Sequence, residues 1–311
     1  MGSLYYRVVV FKRKNTIKME RIMTKLNLTH IEECIDDYDL FLFDLWGVII
    51  EGGETYPGVV EVLNKIIKKK DVIFLSNAPR PDFIVARNLR NWGVLDATPP
   101  MVITSGDVAR QLIVDYRKSS LNDQIPKIFH RGSDRNDDIL LEIDYLAINN
   151  INEADILLLS VFRDEHEDIH EFDEFLKRAA QIPNLLNICS NPDTTIPKHG
   201  ILRYCPGHFA KIIEQHGGNV IYTGKPETSI YDLVFQRKPQ ISKDRILMIG
   251  DTFETDILGA NRSGIHSALV LSGNSVGIHK MHESLTDKLI ALSLHAKNID
   301  IRPTFITQIV R

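Results

Sequence analysis

Short apolar runs alternate with segments of helical periodicity along most of this chain from residue 38 onward, and that alternation is its strongest constraint on fold. The runs are Asp39–Leu45, Val72–Ser76, Met101–Thr104, Ile128–Phe129, Ile156–Ser160, Asn187–Cys189, Asn219–Thr223, Ile246–Ile249 and Ser267–Leu271. Between them lie helical patterns such as TYPGVVEVLNKIIKKK, with Pro57 at its start, Asp107–Arg117 and Phe172–Ala180. Near-continuous apolar strands are those buried on both faces, and strands separated by helices form parallel sheets. The fold class expected is α/β, with a Rossmann-like doubly wound parallel sheet as its core.

In such sheets ligands bind beyond the carboxyl ends of the strands. Four segments place polar residues where apolar runs end: Asp44 in LFLFDLWGV, Ser76 in VIFLSNAPR, Lys225 in VIYTGKPE, and Asp251 with Asp256 in ILMIGDTFETDILGA. Taken singly, each has an ordinary structural explanation as a turn, cap or solvated residue. Taken together and in order, they describe one site for phosphate and a metal ion. About 150 residues separate the Asp44–Ser76 pair from the Lys225–Asp251 pair, enough for an inserted domain. The division expected is a tail and lead-in at 1–37, a core of 38–80 and 205–311, and an inserted α/β cap at 81–204, entering and leaving beside the site.

Composition excludes several classes of partner. With 311 residues and a formal charge of −4, the chain has no basic excess for nucleic acid. No apolar run approaches the ~20 residues that span a bilayer. The three cysteines, Cys34, Cys189 and Cys205, are too scattered for a disulfide framework or zinc knuckle, which fits a cytoplasmic location. The first residues carry Arg7, Lys12, Arg13, Lys14 and Lys18 before the first acid, Glu20. Their apolar patch is too short for a secretory signal, so they read as a tail, or as a start upstream of Met19 or Met23, with an organellar presequence as the other reading.

The four motifs, the long insertion after SNAPR, the ITSGDVA segment, the triplet Asn191-Pro192-Asp193 and the GDTFETDI ending resemble class IIA phosphatases of the haloacid dehalogenase superfamily. The resemblance covers about residues 38 to 275. It implies a large α/β cap and Mg²⁺-dependent hydrolysis of a small phosphorylated metabolite through an aspartyl-phosphate, and it allows a homodimer formed through the cap. On that pattern Asp44 is the nucleophile and a Mg²⁺ ligand, and Lys225 neutralises charge beside it. Asp251 and Asp256 complete the metal site with the backbone carbonyl of Trp46. Ser76, Asn77 and Arg80 meet the phosphate, and Asn191 and Asp193 meet substrate from the cap. The chemistry agrees: phosphoryl transfer needs a nucleophile, charge neutralisation and a cation held by oxygen ligands.

One residue departs from the pattern. Phosphatases of this family usually carry a second Asp two residues after the nucleophile, to protonate the leaving oxygen and activate water, and Trp46 can do neither. General acid–base catalysis contributes roughly 10²–10⁴-fold, so hydrolysis should be slow or confined to esters with weakly basic leaving groups. Asp193 and His199 are candidates for a replacement acid, and a non-catalytic protein that binds a phosphorylated ligand or a partner is the alternative function. Two further motifs are set aside. Gly224-Lys225 lacks the Ser or Thr and the glycine spacing of a P-loop. His166-Glu167-Asp168-Ile169-His170 matches H-E-x-x-H, but its acidic surroundings read as solvated surface rather than a zinc helix.

Overall fold

The computed structural model describes residues 26–119, 124–132, 138–198 and 201–310. The basic segment before residue 26 and His199 lie outside them. A six-stranded parallel sheet runs Phe305–Thr307, His266–Val270, Ile246–Gly250, Leu40–Phe43, Asp71–Ser76, Val102–Thr104 in spatial order. Its central strand explains the unbroken apolar run. Phe41 and Phe43 point into one core layer with Phe74, Leu247 and Ile249, while Leu40 and Leu42 point into another with Ile73, Leu75 and Met248. All four side chains of Leu40–Phe43 are fully buried. Replacing either phenylalanine with alanine would cost about 3–5 kcal/mol.

The second sheet is also parallel, in the order Val220–Tyr222, Leu186–Cys189, Ile156–Ser160, Lys127–Gly132, Leu146–Ala147. Leu157, Leu159 and Cys189 pack against the helices Asp173–Ala179 and Pro206–Gln215. On the opposite face, Ile156, Leu158 and Ile188 meet Ala109 and Ile113 of the helix Ser105–Ser119. A small antiparallel sheet, Thr195–Lys198, Ile201–Tyr204 and Arg163–Asp164, stands beside it.

Sheet membership moves both boundaries expected for the insertion. Val102–Thr104 pairs with Asp71–Ser76 in the first sheet, so the core continues well past residue 80. Val220–Tyr222 pairs with Leu186–Cys189, so the cap continues past residue 204. Both errors have one cause: an apolar strand carries no mark of which sheet it joins. Residues 26–37 are not a lead-in either, since Leu26 and Ile31 are buried and Thr29 N–H donates to the Ile306 carbonyl. The C-terminal strand Phe305–Thr307 and the antiparallel pair Thr195–Lys198 and Ile201–Tyr204 were not expected from the sequence. Both are too short for a pattern to emerge.

The helix Ser105–Ser119 joins the two halves. Thr104 and Asp107 cap it reciprocally: Thr104 N–H donates to Asp107 Oδ2 at 3.0 Å, and Asp107 N–H donates to Thr104 Oγ1 at 2.9 Å. The first turn also grips the loop after Ser76. Thr104 Oγ1 donates to the Arg80 carbonyl at 2.6 Å, and the Gly106 N–H donates to the Ala78 carbonyl at 3.2 Å. Ser105 Oγ donates to the carbonyls of Ala78 on the core side and Ser190 on the cap side.

Gly106 is fixed by this contact, because a Cβ there would lie 2.5 Å from the Arg80 backbone nitrogen. Alanine in a helix normally gains about 1 kcal/mol over glycine. Here Gly106→Ala should have the opposite sign, a loss of roughly 1–3 kcal/mol from overpacking. Urea denaturation monitored by circular dichroism would measure it, and an unchanged or raised midpoint would contradict the packing described.

Candidate active site

The carboxyl ends of the first sheet place three carboxylates together. Asp44 follows the strand Leu40–Phe43 directly, and its N–H donates to the Ile249 carbonyl at 2.9 Å. Asp251 follows Ile246–Gly250, and Asp256 lies on the π-helical turn Phe253–Ile257. That wide turn lets Asp256 Oδ2 fold back and accept two backbone donors, Asp251 N–H at 3.0 Å and Thr252 N–H at 3.1 Å. Asp251 is held from both sides. Its Oδ1 accepts Thr252 Oγ1 at 2.9 Å, and its Oδ2 accepts Asn274 N–H at 2.6 Å. A Cβ on Gly47 or Gly273, both with positive φ, would strike the Asp251 carboxylate.

Lys225 enters this acidic group from the chain returning out of the cap. Its Nζ donates to Asp44 Oδ1 at 2.7 Å, Asp256 Oδ1 at 2.7 Å and the Leu75 carbonyl at 3.1 Å, and the side chain is 1% exposed. The strand before it, Val220–Tyr222, belongs to the cap sheet, so Lys225 does not end a core strand as the sequence suggested. Asn77 fixes it instead. Asn77 Oδ1 accepts Lys225 N–H at 2.8 Å, and Nδ2 donates to the Lys225 carbonyl at 3.1 Å and to Asp193 Oδ1 at 3.0 Å.

Burial lowers the ammonium's affinity for its proton, but Asp256 and Asp44 outweigh it and hold Lys225 above its usual value. Burial pushes the Asp44 carboxyl up to about 7; Lys225 opposes the rise and Asp256 adds to it. Asp251 is pushed well up by burial, then by Asp256 and Asp44. One ammonium thus faces three buried carboxylates whose oxygens come within 4.8 Å of one another, an excess of negative charge that suits a hard divalent cation. Asp44 and Asp251 line the cavity and Asp256 does not, so the first two are the better direct ligands.

The remaining residues singled out by sequence divide. Ser76 ends its strand and is 1% exposed, its Oγ accepting Ala78 N–H at 3.2 Å. Asn77 and Asp193 line the cavity, but the Asn77 side chain is a clamp between Lys225 and the cap. Asn191 Oδ1 accepts Asp193 N–H at 2.9 Å, shaping the turn. Desolvation raises the Asp193 carboxyl. Arg80 lines the cavity, yet its guanidinium pairs with Asp138, at 2.9 Å from Nε and 2.6 Å from Nη2, because the cap brings that carboxylate within reach. Trp46 lines the cavity partly exposed.

Sequence reasoning missed Asn274, Thr252, Trp92, Phe162, Arg203 and Lys211. Only the SGNS turn after the strand His266–Val270 carried a usable signal, the polar strand end that marked the other sites. The H-E-x-x-H segment is not helical. His170 is exposed beside Asp173, and the acidic triad is the single cluster of metal-ligating side chains among the described residues.

The cavity of about 640 Å³ is bounded by Asp44, Asn77 and Asp251 from the core and by Phe162 and Asn191 from the cap. The carboxyl ends of both sheets therefore face one space. Residues 41–145 match the haloacid dehalogenase-like hydrolase family model, and 222–294 match a second, HAD-hydrolase-like model. A haloacid dehalogenase-like family hydrolase from Brucella suis superposes with a TM-score of 0.72 at 26% identity, covering 91% of this chain and 99% of that one. The chain belongs to the haloacid dehalogenase superfamily. Its α/β cap agrees with the resemblance to subfamily IIA. Phosphoglycolate phosphatase 2 of Arabidopsis thaliana is 25% identical over 80% of this chain and 87% of its own length. The 4-nitrophenylphosphatase of Schizosaccharomyces pombe is 26% identical over 78% and 87%.

A divalent cation binding only the folded site should stabilise this superfamily member. At about 100 times its dissociation constant the gain is about 2.7 kcal/mol, a rise in Tm of roughly 5 °C for a protein of this size. Differential scanning fluorimetry with Mg²⁺ should show that rise, and Asp251→Asn should abolish most of it. An equal rise in the variant would place the cation elsewhere.

Proposed function

We propose that this chain is a Mg²⁺-dependent phosphatase that cleaves a small phosphorylated metabolite through an aspartyl-phosphate on Asp44, with activity limited by Trp46. The observation that carries this reading is the buried Lys225 bridging Asp44 and Asp256 beside Asp251 at the floor of the cavity. An Asp44 oxygen attacks phosphorus as the bond to the leaving oxygen breaks. Water then attacks phosphorus, phosphate departs, and the Asp44 carboxylate is restored. Lys225 favours the ionised nucleophile and offsets charge on the transferred group. The Ser76 hydroxyl and the Asn77 backbone N–H, at the end of the strand Asp71–Ser76, are the donors this reading assigns to phosphate oxygens. A divalent cation held by Asp44, Asp251 and the Trp46 carbonyl, with Asp256 behind them, would neutralise the phosphoryl oxygens.

With no carboxyl side chain at position 46, and with Asp193 Oδ1 held by the Asn77 amide, this reading has the leaving group depart as a weakly basic anion. The phosphatase names of the relatives support the reaction class. The buried free thiols of Cys34, Cys189 and Cys205 support a reducing, cytoplasmic setting. A second reading, a binding protein for a phosphorylated ligand, is favoured by Trp46 and predicts phosphate-analogue binding without turnover.

Phosphate release with Mg²⁺ from an aryl phosphate and from sugar phosphates tests both readings. The aryl ester should turn over much faster, Asp44→Asn should reduce release to background, and Trp46→Asp should raise sugar-phosphate turnover by roughly 10²-fold. Equal rates on both ester types in the unmodified protein, with no burst of the aryl leaving group before steady state, would remove the role given to Trp46 as a missing acid or show that a cap residue supplies the proton.

A further inference from the structure

The chain has two tryptophans, and both line the catalytic cavity. They reach it from unrelated places. Trp46 lies two residues beyond Asp44, and Trp92 is the C-terminal cap of the helix Asp82–Asn91, its N–H donating to the Asn88 carbonyl at 3.0 Å. Both rest on the core layer that contains Phe43, Phe74 and Val85, and both stay partly exposed on the cavity side. Phe162, just beyond the cap strand Ile156–Ser160, lines the same space. Tryptophans used only for packing have no reason to converge on one cavity from two separate elements.

We infer that Trp46 and Trp92 form the wall of a leaving-group pocket for a flat aromatic ring, so that the substrate class is phosphate monoesters of phenolic alcohols. This rests on the phosphatase reading above and deepens it. Two independent properties of the site select the same chemistry. An indole face accepts another ring by offset stacking or edge contact, adding a few-fold to tenfold in affinity beyond simple burial. A phenolate leaves without a proton, so its release does not depend on the acid that position 46 lacks. A cavity of about 640 Å³ lies within the usual range for small-molecule sites and accepts an aryl phosphate. The replacement at position 46 then acts twice: it removes the acid that alkyl esters need and supplies a surface that aryl esters use.

Binding of non-hydrolysable phosphonates separates this pocket from turnover. Dissociation constants for phenylphosphonate and methylphosphonate, measured by calorimetry with Mg²⁺ present, should differ by about tenfold in favour of the phenyl compound. Phenylphosphonate should also quench or shift the intrinsic tryptophan emission, since both fluorophores line the pocket. In Trp92→Leu the preference should fall to about threefold or less with methylphosphonate affinity unchanged, and Trp92→Phe, which keeps a ring, should retain most of it. Equal affinities for the two phosphonates in the unmodified protein, or a preference that survives in Trp92→Leu, would overturn the inference while leaving the phosphatase reading intact. Binding of neither phosphonate would overturn both.

Discussion

The double ion pair of Lys225 with Asp44 and Asp256 is the interaction on which the rest of the site depends. A buried ammonium is tolerated only with charged partners, and two buried carboxylates at this distance are tolerated only with a cation between them. Removing one partner of such a pair leaves an uncompensated charge and costs about 3–5 kcal/mol. Here the cost would spread, because Asp256 also fixes the backbone of Asp251 and Thr252, and Lys225 is fixed in turn by Asn77. Three carboxylates around one ammonium remain short of positive charge. That deficit is the electrostatic reason the site suits a divalent cation.

The same lysine couples the two sheets. It follows the last strand of the cap by three residues, so the chain passes from Val220–Tyr222 into the catalytic centre with little slack. Asn77 spans the remaining gap, bonded to Lys225 on one side and to Asp193 of the cap on the other. The helix Ser105–Ser119 makes a second connection, with Val108 in a core cluster and Ala109 and Ile113 in a cap cluster. Ser105 bonds to loops of both halves. A change in how the cap sits would be transmitted to the Ser76–Arg80 loop and to Lys225 together.

Much of this was legible in the sequence where the signal is local. Strand-end carboxylates are visible because an apolar run buried on both faces stops abruptly at a polar residue, as at Phe43-Asp44 and Gly250-Asp251. The alternation of strand and helix identified the α/β class for the same reason. Pairing is not local, so the division at residues 80 and 204 misplaced Val102–Thr104 and Val220–Tyr222, whose side chains would suit either sheet. Arg80 shows a second limit. Its place near Ser76 suggested a phosphate ligand, and only the folded chain reveals Asp138 within bonding distance. Phe162, Arg203 and Lys211 were invisible for the same reason, because a cavity wall is assembled from elements that share no sequence pattern.

Trp46 joins these levels. In the sequence it is a missing acid, an absence with a predictable kinetic cost. In the fold it is a partly buried ring on the same layer as Trp92, a surface at the position where the resembled phosphatases carry a carboxyl group. Retention of Asp44, Lys225, Asp251 and Asp256 in one tightly bonded group argues against a chain that has given up phosphoryl chemistry. Each carboxylate in that group raises the energy of its neighbours, and Lys225 alone leaves an excess of negative charge that a divalent cation would offset. A binding protein for an uncharged partner could replace all four with apolar residues at little cost in stability, since buried ion pairs are no better than well-packed hydrocarbon. On the proposed reading, a site with these charges and no acid at position 46 is limited in what it can release rather than in what it can hold.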